Sequence, residues 1–451
     1  MALNATELGE LIAGKAQAMR AEWGRLATLQ KRIDGKLVRT WMPDNADAEY
    51  RDLFRKASSP WLAFVRDCIA QGLLVDGYSS ERVWAEAWQA NGMDGRQGSV
   101  NREVVGLGKA YGLSLPAEND PNGVVMRPLS ALRTYAHFAR PWDEYPDWVL
   151  TRIGNQSMAS FWSSEWLFVD AEAAYWFDGD ARTPQNIRID EHGLDFTPVV
   201  QLSNTLAMSG QPESSVEAAV PIYQRVVDAT FTLQMVQRYG AFPQKWMAGG
   251  ELAKDENGNP LVRSSVDGLI HASGESGESA RFGTFEPADL DKVVSAVDAH
   301  IKHLSAVCQV PPHYLLGAVV NMSAEGIAAA ESGYFRNVAD RQMAIGEGYE
   351  QWMRVAAAII GDTEAAQATS SQVHWADVST RSLGQISDAV LKLATVGAPL
   401  ELLFAMVPGW SKTDVLEAAE FVRSKQAEAG AVRAAAAAAV PGTSAGQIAA
   451  Q

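Results

Sequence analysis

The sequence predicts an α+β protein on three observations. Two long helical patterns lie between Glu286 and Gly361, separated by Pro311-Pro312. A strand-rich, tryptophan-rich region runs from Arg127 to Val200. A capping box, Ser214-Ser-Val-Glu217, opens a further helix just before a Gly-rich stretch of short strands.

The helix pair organises the chain. Leu290, Val294, Val297, Ile301, Leu304 and Cys308 recur at alternating steps of four and three. That seam suits a helix packed lengthwise against other helices. Pro287 fits its first turn, and Val310-Pro311-Pro312 stops it. A loop of about ten residues follows, apolar at Tyr314, Leu315, Leu316, Val319 and Val320. Ser323 is placed to cap the second helix, whose apolar positions are Ile327, Tyr334, Val338, Ile345, Tyr349, Trp352 and Ile359. To Ile360 that helix would be roughly 55 Å long. Gly326, Gly333, Gly346 and Gly348 would bend it or admit close neighbours.

Composition excludes several classes. The 451 residues suggest about three domains, and 47% apolar residues suffice for sizeable cores. The formal charge of −16 repels nucleic acid at long range, so tight sequence reading of DNA is not expected, while smooth, low-affinity contact stays open. Cys68 and Cys308 are the only cysteines; both sit in apolar helical contexts and read as buried free thiols of a reducing compartment. The N-terminus lacks the pattern of a signal peptide, and no apolar run reaches membrane-span length.

Taken in order, the chain opens with a helix from about Thr6 to Arg32. Within it, Gly9 to Ala16 mimics a phosphate-binding GxxxxGK loop. Ala16 replaces the magnesium-binding hydroxyl, and no strand precedes, so an ATP site is not expected. Ser59-Pro60 starts a helix with Trp61, Phe64, Val65, Cys68 and Ile69 on one face, followed by a short strand at Leu73–Val75. Two helices flanking Asn91-Gly92 and a strand at Tyr111–Leu115 come next. Trp142, Trp148, Trp162, Trp166 and Trp176 read as strand packing, since few basic residues interleave them as a base-stacking platform would require. The helix from Ser214 runs to about Tyr239. Turn signals such as Asn257-Gly258 then divide the chain into short strands. After Gly361 a strand in "SQVHWADVST" precedes helices at Ser387–Val396, Leu400–Met406 and Thr413–Ala429. The Ala-rich end reads as extended helix or loose chain.

Catalytic chemistry is not evident. His300 and His303 share a helix face at ligand-like spacing, with His313 nearby, but no cysteine pair or HExxH accompanies them, so no metal is expected. "SGESG" at Ser273–Gly277 lacks the context of a nucleophile elbow. Carboxylates are scattered.

The stretch "LSAVCQVPPHYLLG" (Leu304–Gly317) followed by "NMSAEGIAAAESGYFRNVADRQMAIGEGYEQWMRVAA" (Asn321–Ala357) resembles bacteriophage portal proteins, those of tailed phages with actinobacterial hosts. Leu73–Tyr78, Trp88–Asp94, Gly108–Tyr111 and "TPVVQLSN" (Thr197–Asn204) match, in order and spacing, motifs of that family's wing. The resemblance implies a portal fold. Its parts would be an α/β wing (1–212), a stem helix (213–240), a small β-rich clip (241–286) and a second stem helix (287–309). A tunnel loop (310–322), a long helix with a return to the wing (323–386), a helical crown (387–430) and an Ala-rich tail (431–451) would follow.

It also implies a ring of about twelve subunits at one capsid vertex of the virion, assembled in the host cytoplasm. Double-stranded DNA would pass through its channel without sequence specificity. The large terminase, a head-tail adaptor, the major capsid protein and a scaffolding protein would be partners. No membrane, cofactor or catalysis is implied. A channel dense in Lys and Arg would brake DNA by counterion release. The stretch 287–309 is instead near neutral, and Pro312–Met322 has no charged residue. Leu315, Leu316, Val319 and Asn321 are therefore the expected constriction, with packing between subunits as the competing role. Lys292, His300, Lys302 and His303 are the candidate DNA-facing groups. Another connector or minor capsid ring component, or a nucleotide-using packaging enzyme, are the alternatives.

Overall fold

A computed structural model describes residues 3–36, 48–118, 120–154, 161–240, 245–248, 251–252, 272–273, 281–284, 289–317, 324–376, 383–407, 410 and 412–438. Every pairing among its strands is antiparallel, and helices pack against the sheets from outside: an α+β fold.

Helix α1 (Ala5–Ile33) opens on a capping box. The Asn4 side chain accepts from Thr6 and Glu7 N–H, and the Glu7 carboxylate accepts from Asn4 N–H. Its length joins two cores. Leu8, Ile12, Met19 and Trp23 cover one face of a five-stranded meander, while Leu26, Leu29 and Ile33 enter the main core. Gly9 packs so closely that a Cβ would come within 2.5 Å of the Arg182 carbonyl oxygen. The phosphate-loop mimic is thus continuous helix pressed on a sheet.

Helices α2 (Ala48–Ala57) and α3 (Trp61–Gln71) follow. Leu62, Val65, Cys68 and Ile69 form the buried face of α3, whereas Phe64 is 43% exposed, so the predicted stripe is rotated toward Leu62. Strand β1 is Val75–Tyr78, later than the predicted Leu73–Val75. Helix α4 (Glu81–Val83) runs into a π-turn at Trp84–Gln89. Gly92, at φ +62°, then starts α5 (Met93–Leu107), and Gly108, at φ +91°, ends it.

The motif Trp88–Asp94 proves to be a staple. Trp88 Nε1 donates to Asp94 Oδ1 at 2.7 Å. Asn91 donates to the Val124 carbonyl and accepts from Met126 N–H, each at 2.9 Å.

Strands β2 (Lys109–Ala117) and β3 (Asp120–Leu129) form a hairpin. The meander is β4 (Thr134–His137), β5 (Trp148–Arg152), β6 (Ser163–Asp170), β7 (Ala173–Asp180) and β8 (Gln185–Glu191). Strand β9 (Val199–Ser203) completes a three-stranded sheet in the order β3-β2-β9. Trp148, Trp162 and Trp166 are buried in the meander core as packing predicts. Trp176 is half-buried beneath the Arg188 guanidinium, and Trp142 is 77% exposed.

Ser214 Oγ accepts from Val216 and Glu217 N–H at 3.1 and 3.2 Å, so the serine half of the predicted capping box forms. The Glu217 carboxylate turns instead to Arg25, 3.0 Å away. A 3-10 turn (Glu217–Ala219) leads into α6 (Val220–Met235), which a π-turn (Val236–Gly240) extends to about the predicted end.

Beyond it, β10 (Lys245–Ala248) pairs with β13 (Arg281–Thr284), and β11 (Glu251–Leu252) pairs with β12 (Ala272–Ser273) inside them. The Asn257-Gly258 turn, Pro287 and residues 274–277 of the "SGESG" stretch lie outside the described residues.

Helix α7 (Leu290–Cys308) packs beside α6. Asp289 caps it by accepting from Asp291 N–H at 3.2 Å, so the helix starts after the predicted Pro287. Helix α8 (Pro312–Leu316) stands in the first part of the predicted loop, and α9 (Ala324–Ile359) is the long helix. Helix α10 (Thr363–Gln367) leads to β14 (Val373–Trp375), which pairs with β1 and brings the chain back to its N-terminal region.

Helices α11 (Leu383–Thr395), α12 (Leu400–Phe404) and α13 (Lys412–Ala438) close the described chain, with Leu403, Val415 and Ala419 buried among them. Helix α13 runs straight through Gly430 into the Ala-rich segment, whose residues beyond 438 lie outside the described ones.

Candidate functional site

The predicted seam on α7 is buried only in its C-terminal half. Ile301, Leu304 and Cys308 are at most 5% exposed and Val297 is half-buried, whereas Leu290 and Val294 are 36% and 42% exposed. The N-terminal half therefore leaves apolar surface outside the protomer's own core. At 100° per residue, Lys292 and His303 fall on one line of the opposite, exposed face, with Lys302 to one side. Lys292 lies 3.0 Å from Asp289 with its side chain 84% exposed. Lys302 and His303 are also exposed. His300 is half-buried, its ring 6.2 Å from that of His303. Three of the four candidate DNA-facing groups are thus solvent-facing, and His300 is turned partly inward. Among the described residues no group of His, Cys, Asp and Glu is placed to hold a metal ion.

The helix ends at Gln309, a non-glycine residue at φ +53°. Asn337 of α9 reaches the Cys308 carbonyl at 3.4 Å and so satisfies one orphan carbonyl of this end from outside the helix, while Ser305 within the helix donates through Oγ to the Val310 carbonyl just beyond it at 2.5 Å. Pro312 at the first position of α8 then continues the chain as one helical turn closed by Gly317 at φ +66°.

This turn sets the place of Leu315 within the protomer. It is 8% exposed and packs in the main core, and Leu316 is half-buried against the same core. Periodicity put both in an irregular apolar loop. A proline-initiated helical turn instead directs Leu315 toward the protomer's core. Val319 and Asn321, with the capping Ser323, lie outside the described residues.

Polar contacts that the apolar pattern alone does not show hold this region. The Tyr314 hydroxyl donates to Glu331 Oε1 at 2.9 Å, and His313 Nε2 lies 3.4 Å from the same oxygen. Glu331 is 6% exposed. Further along α9, Tyr334 donates to the Cys68 carbonyl at 2.7 Å and Gln342 to the Gly72 carbonyl at 3.0 Å. Tyr349 donates to Asn101 at 2.8 Å and Trp352 to Ser114 at 2.9 Å. Burial pushes the Tyr334 phenol up to about 12; that of Tyr314 rises further, from burial and then from the carboxylate of Glu331. On α9 these residues stand three, eight, seven and three apart; Tyr334, Tyr349 and Trp352 lie on the predicted apolar face, whereas Glu331 and Gln342 were passed over because polar residues on a helix read as solvent-facing. Burial likewise pushes the thiols of Cys68 and Cys308 up to about 11 and about 12, which suits inert core residues.

The arrangement carries no nucleophile–base pair and no phosphate cradle among the described residues named above. It is a mechanical junction of two stacked helices, a short turn and a long helix seated on a sheet. Residues 75–431 match the model of the family described as "Phage portal protein, SPP1 Gp6-like".

The chain belongs to this portal protein family.

The match takes in α6, α7, α8 and α9 and begins at β1, leaving α1 to α3 outside it. Among curated relatives, the portal protein of Mycobacterium phage D29 is 26% identical over 351 residues, 72% of this chain and 70% of that one. The portal protein of Mycobacterium phage L5 is 29% identical over 238 residues, 50% of this chain and 48% of that one. Solved structures with a similar course include a chain of the neck of a native gene transfer agent particle computed with C12 symmetry. It has a TM-score of 0.47 and 11% identity, and the match covers 82% of this chain and 95% of that one. A chain of the virion of a native gene transfer agent particle has a TM-score of 0.44 and 12% identity, over 82% and 95% of the two chains. The role of the present chain is that of a phage portal protein.

Proposed function

We propose that this portal forms a closed ring of about twelve subunits at one capsid vertex and that double-stranded DNA enters and leaves through its axis. In this reading α6 and α7 are the stem, the small strands of 241–286 the clip, residues 310–322 the tunnel loop and 387–430 the crown. Residues 1–212 and the return strand form the wing. Terminase, the packaging motor, and later the head-tail adaptor dock on the ring, which sits among major capsid and scaffolding proteins. The portal assembles in the host cytoplasm, ends in the virion and hydrolyses nothing itself.

The observation that carries the reading is the family match over α6 to α9, and the half-exposed seam of α7 supports it. Leu290 and Val294 continue the buried line of Ile301, Leu304 and Cys308 yet lack cover within the protomer's core. A neighbouring subunit is the economical cover for such a stripe. The exposed line Lys292–His303 supplies few cations, consistent with a conduit that does not grip its cargo. The proposed constriction is the uncharged stretch that carries Leu315, Leu316, Val319 and Asn321, with Leu315 packed in the protomer's core.

Complementation tests this directly. Capsids made without the chain are expected to take up no DNA, and supplying it in trans to restore packaging. The purified chain is expected to show no ATP turnover of its own. Packaging that proceeds without the chain, or robust hydrolysis by it, would contradict the proposal.

A further inference from the structure

Arg133 and Arg152 face each other at one end of the first two strands of the meander. The Arg152 N–H donates to the Arg133 carbonyl at 2.9 Å, one step beyond the Thr134–Thr151 pair, whose hydroxyls meet at 2.8 Å. By strand alternation both arginines continue the face of Tyr135 and Leu150, which belong to the core covered by α1. On the other side of Arg152, β6 places Trp166 opposite it, buried and stacked on Trp23 of α1 at 6.2 Å. Arg152 therefore stands at the rim of an aromatic core, and the exposed Arg133 beside it opens the pair to the surface.

Nε and Nη1 of Arg152 are covered from solvent, and neither has a hydrogen-bond partner. Among the described residues no carboxylate stands at ion-pair distance from either guanidinium. The Glu103 carboxylate feels the Arg133 charge, but its Oε1 already accepts from Ser130 Oγ at 2.7 Å and from Ala131 N–H at 2.5 Å. Burial, and then the charge of Arg133, lower the pKa of the Arg152 guanidinium from its ordinary value. Like charges directly opposite on a sheet destabilise it, and a covered donor without an acceptor carries its full desolvation cost. The chain holds 54 acidic residues against 38 basic ones, yet none is spent here among the described residues. A group that accepts from both forks would relieve both costs at once. Planar or tetrahedral oxyanions are what a guanidinium fork fits.

We infer that Arg133 and Arg152 form an oxyanion-binding site at this corner of the meander, which takes a carboxylate or an inorganic anion between the two guanidinium groups. Two sources supply that chemistry: a carboxylate of a second copy of this chain, or free phosphate. Copies that each carry a formal charge of −16 repel one another, so a cationic pair left open on the surface suits contact with the next copy.

The test uses the full-length wild-type chain, Arg152→Met, which keeps an apolar stem, and Arg133→Gln. Thermal unfolding of the unassembled chain is followed in sodium phosphate and in sodium chloride of matched ionic strength, and the assembled fraction is measured by native mass. In chloride Arg152→Met is expected to unfold at or above the wild-type midpoint, because it removes an unpaired charge. Phosphate is expected to raise the wild-type midpoint by a few degrees, that of Arg133→Gln by less, and to leave Arg152→Met unmoved. Severalfold weaker assembly of Arg152→Met would make a second copy the source of the oxyanion, and assembly equal to wild type would make it a free anion. Where the wild type itself stays unassembled, the phosphate comparison decides alone. Wild type and Arg152→Met that respond alike to phosphate and also assemble alike would overturn the inference. So would a lower midpoint for Arg152→Met in chloride, which marks a guanidinium already satisfied within the protomer.

Discussion

The indole of Trp352 lies flat over the bare backbone of Gly112: a Cβ built on that glycine would sit 2.3 Å from the ring. Trp352 is fully buried and its Nε1 donates to Ser114 Oγ, two residues along the same strand. The long helix is thereby seated on the middle strand of the three-stranded sheet, with Gly348 giving the same helix close access to Leu202 on β9. Gly112→Ala must push the indole or the strand aside and is expected to destabilise the chain by about 1–3 kcal/mol. Urea denaturation of wild type and variant measures it, and an unchanged midpoint would contradict the tight seat.

The 3-10 turn that leads into α6 depends on Ser214, whose hydroxyl accepts from the Val216 and Glu217 N–H groups and donates to the Gly106 carbonyl at 2.7 Å. Ser214→Ala is expected to cost about 0.5–2 kcal/mol, the usual worth of a helix cap. Glu217→Ala removes only an exposed pair with Arg25 and is expected to cost less than about 1 kcal/mol. The same denaturation series ranks the two, and a larger loss for Glu217→Ala would contradict the assignment.

Buried His192 gives a pH dependence of defined sign. Leu194 N–H donates to Nδ1 at 3.2 Å, so Nε2, 3.0 Å from the Asp170 carbonyl, carries the proton of a neutral ring. Burial lowers its pKa from the ordinary 6.5, outweighing the Asp170 carbonyl, which favours the charged form. The folded chain then binds fewer protons than the unfolded chain below about pH 6.5, so this contribution is complete above that pH and is lost as pH falls. The midpoint of thermal unfolding is expected to fall with acidification below that point, and to fall less in His192→Gln. Equal acid sensitivity in the two would contradict the assignment.

Cys68 and Cys308 are buried with thiols held protonated. Ellman's reagent is expected to leave both unreacted in the native chain and to titrate both after denaturation. Rapid reaction of either in the native chain would place it at the surface instead.

Much of this architecture was legible in the sequence because the relevant signals are local. The stripe from Tyr334 to Trp352 on α9, the stop at Pro311-Pro312 and the return strand at Val373–Trp375 follow from period and punctuation. That Leu315 packs in the protomer's core was not legible, because an apolar residue beside two prolines looks the same in a loop and in a proline-initiated turn; only the core against which α8 packs decides. Strand β8 was not separated from its surroundings, since its pattern is mostly exposed and alternates little. Phe64 looked like core by spacing but faces outward, because α3 is turned to present Leu62. Glu331 and Asn101 carry no sequence mark of burial: their partners lie across the fold, and in one dimension a carboxylate or amide on a helix reads as solvent-facing.

The central claim is that the uncovered seam of α7 and the family match together mean a ring. Electron microscopy of the purified chain, alone and co-expressed with its major capsid and scaffolding proteins, tests it most directly. The account predicts closed rings of about twelve subunits with an axial hole, in at least the co-expressed sample. A chain that stays monomeric in both would contradict it.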